Sequence, residues 1–230
     1  MNTGILFLVT TPIGNIADLT IRSLQVLREC DIVICEEFKE GNKLLKQLEI
    51  NKELMNLNEH NENNVLEEYI LKLLSGQNIA MITDCGTPGF ADPGLLLINR
   101  CIEMNIKIEF LAGANSVLTA LVLSGFDISR FRFLGFLSPK SDLRKKQLQD
   151  LNTFRYSTVL MDTPYRLMNL LEDINNVIPE NKIFVGANLT SDAEEQFRGT
   201  ASEIIEEIKA KNPEGKYKAE FVLVISPNRK

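Results

Sequence analysis

Short apolar runs that recur between helical repeats constrain this chain more than any other feature. Ile5–Val9 (ILFLV), Asp31–Cys35 (DIVIC), Ile79–Thr83 (IAMIT) and Ile108–Leu111 (IEFL) are too short for helices and carry the aliphatic residues of strands buried on both faces. Between them lie stretches with apolar residues at helical spacing. Ala17–Arg28 carries Leu19, Leu24 and Leu27; Asn64–Leu74 carries Val65, Leu66, Tyr69, Ile70, Leu73 and Leu74; Leu95–Met104 follows. Lys43–Leu48 reads as a short helix and Leu54–Leu57 as a strand. Parallel neighbours need crossover connections, so strands alternating with helices predict a mostly parallel sheet covered on both faces.

Gly113 begins a second run of elements. Ser116–Ser124 is helical, Phe131–Phe136 strand-like, Lys140–Asn152 a charged helix, Ser157–Asp162 a strand and Tyr165–Asn175 a helix. Lys182–Ala187 and Phe221–Ile225 read as strands, with a helix at Ser202–Lys211 and a turn or hairpin connection from Lys211 to Lys216 between them. The pattern predicts two α/β lobes, residues 1–112 and 113–230, with a cleft between them.

Composition narrows the function classes. With 44% hydrophobic and 24% charged residues, and no apolar run near the roughly 18 residues of a membrane span, no membrane partner is expected. The opening MNTGILFLVTTPIG lacks a basic flank before its apolar run, so it reads as a first strand and not as a signal peptide, and the expected location is the cytoplasm. Cys30, Cys35, Cys85 and Cys101 show no Cys-x-x-Cys spacing and accompany a single histidine, which argues for free thiols and against a metal. A formal charge of −6 opposes nonspecific nucleic-acid binding by the whole protein's field, while leaving room for a local basic groove.

In open α/β sheets ligands bind beyond the carboxyl ends of the strands. Three unusual loops belong there: Thr10–Asn15 after the first strand, Asp84–Gly94 (DCGTPGFADPG) and Ala112–Ser116. Glycine permits close backbone approach and proline fixes a turn. Any one such loop is explained as a tight turn, whereas three at one sheet edge favour a ligand site. Neither G-x-G-x-x-G after the first strand nor G-x-x-x-x-G-K-[ST] occurs, so dinucleotide and triphosphate ligands lack their usual cradle.

Six segments carry a resemblance: Val9–Glu37, Asn58–Asn61 (NEHN), Ile82–Gly94 (ITDCGTPGFADPG), Thr163–Arg166 (TPYR), Glu194–Thr200 (EEQFRGT) and Glu220–Ile225 (EFVLVI). In these residues and their order, the chain resembles the tetrapyrrole methylase superfamily and, within it, the ribosomal RNA small subunit methyltransferase I family. The resemblance implies two α/β lobes with S-adenosylmethionine in the interlobe cleft, 2'-O-methylation of a cytidine in 16S ribosomal RNA of the small subunit, and a homodimer. It implies cofactor contacts from Pro12 and Gly14, from Asp84, Cys85, Gly86, Thr87 and Phe90, from Asn115 and Ser116, and from Met161 and Leu189.

Several positions depart from the family pattern. Glu37-Phe38-Lys39 stands where the family has Asp-Thr-Arg, Ala112–Ser116 where it has Pro-Gly-Pro-Ser-Ala, Asp162–Arg166 where it has Glu-Ser-Pro-His-Arg, and Ala187–Ser191 where it has Arg-Glu-Leu-Thr-Lys. Ala187 and Ser191 in place of Arg and Lys imply fewer RNA phosphate contacts. A ribose hydroxyl is a weak nucleophile and calls for a base. Glu36, Glu37, Asp162 and His60 are the candidates, and Glu36 and Asp162 are the catalytic residues expected. Arg144-Lys145-Lys146 fits either RNA phosphates or a solvated helix face. Three functions stay open: the ribosomal RNA methyltransferase, a methyltransferase on another acceptor such as a tetrapyrrole carbon, and a non-catalytic cofactor-binding paralogue.

Overall fold

The computed structural model describes residues 3–151, 155–213 and 217–227. It comprises two compact units, Met1–Asn115 and Ser116–Lys230. In the first, β1 (Ile5–Val9), β2 (Ile32–Cys35), β3 (Glu53–Asn56), β4 (Ile79–Met81) and β5 (Lys107–Leu111) form one sheet in the order β3-β2-β4-β1-β5. Every pairing is parallel, as the alternation of strands and helices requires. Side chains alternate across it. Leu6, Leu8, Ile32, Ile34, Ile79 and Met81 enter one core beneath α3 (Glu62–Leu74) and α4 (Leu95–Glu103). Val9, Val33, Cys35, Ala80 and Ile82 enter the other, with Leu27 of α1 (Ile21–Glu29) and Leu45 of α2 (Phe38–Gln47).

Two helices differ from their expected extents for local reasons. The helix expected over Ala17–Arg28 is broken into a single 3₁₀ turn, Ile16–Asp18, and α1, because Thr20 caps α1 by accepting a hydrogen bond from the Ser23 amide at 3.0 Å. The α2 helix begins five residues before the apolar spacing shows it. Its contact with β2 is made by Gly41, where a Cβ would stand 2.9 Å from both Cβ and Sγ of Cys35.

The second unit holds β6 (Phe131–Phe136), β7 (Ser157–Asp162), β8 (Ile183–Ala187), β9 (Glu195–Gly199) and β10 (Phe221–Ile225), in the order β6-β7-β10-β8-β9. Helices α6 (Ser141–Asp150), α7 (Leu167–Val177) and α8 (Ala201–Lys211) cover the face that carries Leu160, Val185, Phe197 and Leu223, while α5 (Ser116–Ser124) packs on β8 and β10. The pairing here is mixed. Only β6 and β7 pair in parallel, while β10 runs antiparallel between β7 and β8, and β9 returns antiparallel along β8. The β9 strand escaped the sequence pattern because Phe197 alone among its side chains is buried. Residues 214–216 of the expected turn and Asn152 of the expected charged helix lie outside the described residues.

Arg144 of α6 is neither an RNA contact nor part of a solvated face. It is 4% exposed, with Nε 2.7 Å and Nη2 2.6 Å from Asp173 Oδ2 on α7, and Nη1 donates to the carbonyls of Ser138 and Pro139 at 3.1 and 3.2 Å. Ser141 and Lys145 complete the shell of Asp173. Among the described residues no helix is long and apolar enough to cross a membrane, and no cluster of His, Cys, Asp and Glu could hold a metal ion.

Candidate active site

Because the first sheet is wholly parallel, the loops after all five strands leave it at one edge. The loops following β1 and β4 are stitched together there. Thr11 donates its amide to the Gly86 carbonyl at 2.8 Å, and its hydroxyl lies 3.3 Å from the Thr83 carbonyl and 3.4 Å from that of Gly86. Gly86 holds φ of +90°, a conformation that side chains disfavour, which explains a glycine at this bridge. Pro12, Gly14, Cys85, Gly86, Thr87 and Phe90 therefore belong to one joined pair of loops. Gly113, two residues before Asn115 in the loop after β5, packs so closely on Thr10, just past the end of β1, that a Cβ would meet Thr10 Cβ at 3.0 Å. Thr10 Oγ1 is buried beside it with no hydrogen-bond partner.

Carboxyl groups crowd the same edge. Burial, with Asp92, Asp84, Glu37 and Glu59 in decreasing order, pushes Glu36 up to about 7. Burial and then Asp84 push Asp92 up to about 6. Asp84 is also raised, chiefly by burial, although the Glu37 amide donates to its Oδ1 at 3.3 Å and opposes the shift. Every charged group acting on Glu36 is acidic. Carboxyls under mutual repulsion favour a cationic ligand, which relieves their charge. Asp92 was not singled out in the sequence, where Ala91-Asp92-Pro93-Gly94 reads as turn material.

Other residues hold this edge together. Glu36 follows β2 directly, and its carbonyl accepts a hydrogen bond from Asn56 Nδ2 at the end of β3. Glu37 is the residue that precedes α2 and is exposed. His60 is exposed as well, its Nε2 3.7 Å from Glu59 Oε1, and acts on none of these carboxyls.

In the second unit the cross-strand register separates the expected residues by face. Met161, Val222 and Gly186 lie in one row, and Leu189 folds over that row, since a Cβ on Gly186 would meet Leu189 Cδ2 at 2.8 Å. Met161 and Leu189 are thus brought to one place. Ser116 opens α5, which packs on the same two strands, β8 and β10. Asp162 points to the opposite face, in a row with Phe221 and Ala187. Its Oδ1 accepts from the Thr163 amide at 2.7 Å and lies 3.0 Å from Arg166 Nη1, while Oδ2 is buried without a partner. Ala187 is fully buried in the core and the Ser191 hydroxyl is turned back to the Asn188 carbonyl at 2.8 Å. Position 187 is therefore a packing position, and the loss of an arginine there is not the loss of an exposed phosphate contact.

Comparison with known proteins agrees with this architecture. The family model described as Tetrapyrrole (Corrin/Porphyrin) Methylases matches residues 6–205. A ribosomal RNA small subunit methyltransferase I of Synechocystis sp. is 37% identical over 97% of this chain and 79% of its own length. A protein of the same name from Thermotoga maritima is 35% identical over 97% of this chain and 98% of its own. A solved uroporphyrin-III-C-methyltransferase from Thermus thermophilus superposes with a TM-score of 0.65 at 18% identity, covering 97% of this chain and 94% of that one, which establishes the shared fold. The chain belongs to the tetrapyrrole methylase family and is a methyltransferase, grouped by sequence with the proteins named ribosomal RNA small subunit methyltransferase I.

Proposed function

We propose that this chain methylates the 2'-hydroxyl of a cytidine in the 16S RNA of the small ribosomal subunit, with S-adenosylmethionine as methyl donor. The observation that carries the reading is the position of Glu36, a half-buried carboxyl directly after β2 at the loop edge of a methylase fold, where burial and four acidic neighbours raise its proton affinity. A general base works best when its pKa lies near the working pH, and a ribose hydroxyl needs one. Relatives bearing the ribosomal name over nearly the whole chain supply the acceptor class.

The residues present fit the proposed cofactor. It brings an ammonium and a sulfonium to an edge rich in carboxylates, and the unpartnered Thr10 hydroxyl and backbone groups of the Gly86 and Gly113 turns suit its polar edge. When bound, it supplies an electrophilic methyl group. Pro12, Gly14, Asp84, Cys85, Gly86, Thr87, Phe90 and Asn115 of the first unit, with Ser116, Met161 and Leu189 of the second, are the contacts proposed. Glu36 accepts the hydroxyl proton, and Asp84 and Asp92 keep its proton affinity high. Asp162, already engaged by Arg166, holds the Thr163–Arg166 turn and has one oxygen left for a donor. The reaction is placed in the cytoplasm and the active species is a homodimer, which sedimentation at micromolar concentration tests.

The decisive experiment supplies small subunits from cells lacking this protein together with S-adenosylmethionine, then maps new methyl groups by nuclease digestion and mass spectrometry. One methyl on a cytidine ribose supports the reading. A protein that binds the cofactor yet leaves small subunits unmodified would direct attention to another acceptor.

A further inference from the structure

The segment Asn58–Asn61 (NEHN) between β3 and α3 stood out in the sequence, and together with Glu62, which opens α3, it has no part in the proposed chemistry. We propose that it is a positioning clamp that sets the distance between Glu36 and the loop Asp84–Gly94, with Asn61 and Glu62 as its two positioning residues. The inference rests on the reading of Glu36 as the proton acceptor.

The first arm of the clamp runs through Asn56. Its Nδ2 donates to the Glu36 carbonyl, and its Oδ1 accepts from Asn58 Nδ2 at 2.9 Å and Asn61 Nδ2 at 2.7 Å. Two donors on one side of the amide fix its orientation, so the NH₂ group must face Glu36. The Asn56 carbonyl is held in turn by Asn61 Nδ2 at 3.1 Å and by the hydroxyl of buried Tyr69 on α3 at 2.6 Å. Asn61 Oδ1 closes the ring by accepting from the Asn58 amide at 2.8 Å. Tyr69 anchors this network to the core of the first unit, so the chain leaving β2 has little freedom.

Glu62, the next residue, is the second arm. It is 9% exposed, and one oxygen accepts from the amides of both Gly94 and Leu96 at 3.1 Å. These are donors that the start of α4 leaves without helical partners, at the positive end of its dipole. The backbone at Gly94 lies close against Met81: a Cβ there would stand 2.7 Å from Met81 Cε, and its φ of +115° favours glycine. Asp92 lies two residues before this pinned point and is the strongest charged neighbour of Glu36. The groups acting on Glu36 are Asp92 and Asp84 from this loop, Glu37 beside it, and Glu59 from the clamp itself. Both arms therefore begin in five consecutive residues, one ending on the Glu36 carbonyl and the other on the amides of Gly94 and Leu96.

A test free of the acceptor is direct titration of Glu36 by carboxyl carbon NMR, with Glu36→Gln assigning the signal, alongside calorimetric affinity for S-adenosylmethionine. Asn61→Ala should move the Glu36 midpoint from near 7 by about half a pH unit or more. Glu62→Ala should weaken cofactor binding about fivefold, roughly 1 kcal/mol. Glu62→Gln should restore it, since an amide oxygen accepts the same two bonds. Asn58→Ala repeats the first arm should Asn61→Ala fail to fold. An unmoved Glu36 midpoint and unchanged affinity in folded variants overturn the clamp, even where melting temperatures fall. Full methyl transfer by Glu36→Gln with a displaced midpoint in Asn61→Ala would instead reject Glu36 as the base while leaving the clamp standing.

Discussion

Replacing Asp173 by asparagine keeps the shape of the α6–α7 contact and removes the charge that faces Arg144. The guanidinium would retain the carbonyls of Ser138 and Pro139 but lose the negative charge that Asp173 Oδ2 now holds 2.6 and 2.7 Å from it, in a position where it is only 4% exposed. Removing one partner of a buried ion pair costs about 3–5 kcal/mol, because the other charge is left without its counterion. At about 2–4 °C per kcal/mol for a chain of this length, the melting temperature should fall by about 6–20 °C. Arg144→Met with Asp173→Leu should recover most of the loss, since an apolar pair of similar volume carries no desolvation penalty. Calorimetry on the wild type and the two variants measures this. Binding to small subunits across a salt series reads the other half of the argument: the folded double variant should keep the salt slope of the wild type, whereas a phosphate-binding arginine would contribute about one unit to it. A loss under about 1 kcal/mol in Asp173→Asn, or a shallower salt slope in the double variant, would refute the structural role given to Arg144.

Three further outcomes are expected. Glu36→Gln should reduce methyl transfer by about 10²–10⁴-fold in single-turnover assays, and the wild-type rate should rise through an acid limb near pH 7 that the variant lacks. Glu36 and Asp92 bind protons more tightly in the folded chain, so their stabilising contribution is full below about pH 4 and is lost as pH rises through about 6 and 7. Glu36→Gln and Asp92→Asn should therefore raise the melting temperature relative to wild type at pH 8 and leave it nearly unchanged at pH 4. Gly94→Ala, strained by its positive φ and by Met81, should destabilise the chain by roughly 2–4 kcal/mol, as urea unfolding would show, and should weaken cofactor binding in the fraction that folds.

The legible parts of the chain are those where one face or one spacing carries the signal. Strands β1, β2, β4 and β5 are apolar runs or nearly so, and their loops stand out through glycine and proline, so the parallel sheet and the gathering of those loops at one edge follow from pattern. The order of the second sheet does not. Periodicity reports that Phe221–Ile225 is a buried strand, but its place between β7 and β8 is decided by packing over many residues. Arg144 misleads because Lys145 and Lys146 follow it, and charge in sequence says nothing of a carboxylate on the next helix. Asp92 and Asn56 act through neighbours supplied by other strands. Glu36 was legible as one of the carboxyls available to serve a weak ribose nucleophile, whereas its elevated proton affinity depends on residues up to the far end of the β4–α4 loop.

The central position of β10 bears on how the second unit comes into being. Its flanking strands β7 and β8 are synthesised well before Phe221–Ile225, so until that segment emerges each presents an open edge where β10 will pair. The β6–β7 and β8–β9 pairs can form early, yet they cannot be joined into one sheet by anything then available. A nascent chain in that interval carries two unprotected strand edges beside apolar faces, the condition under which strands recruit other chains. Closure requires contacts across long sequence separations and is correspondingly slow. The second unit thus delays its own completion, and the residues most in need of shielding during synthesis are those of Ser157–Asp162 and Ile183–Ala187, which in the finished sheet lie against β10.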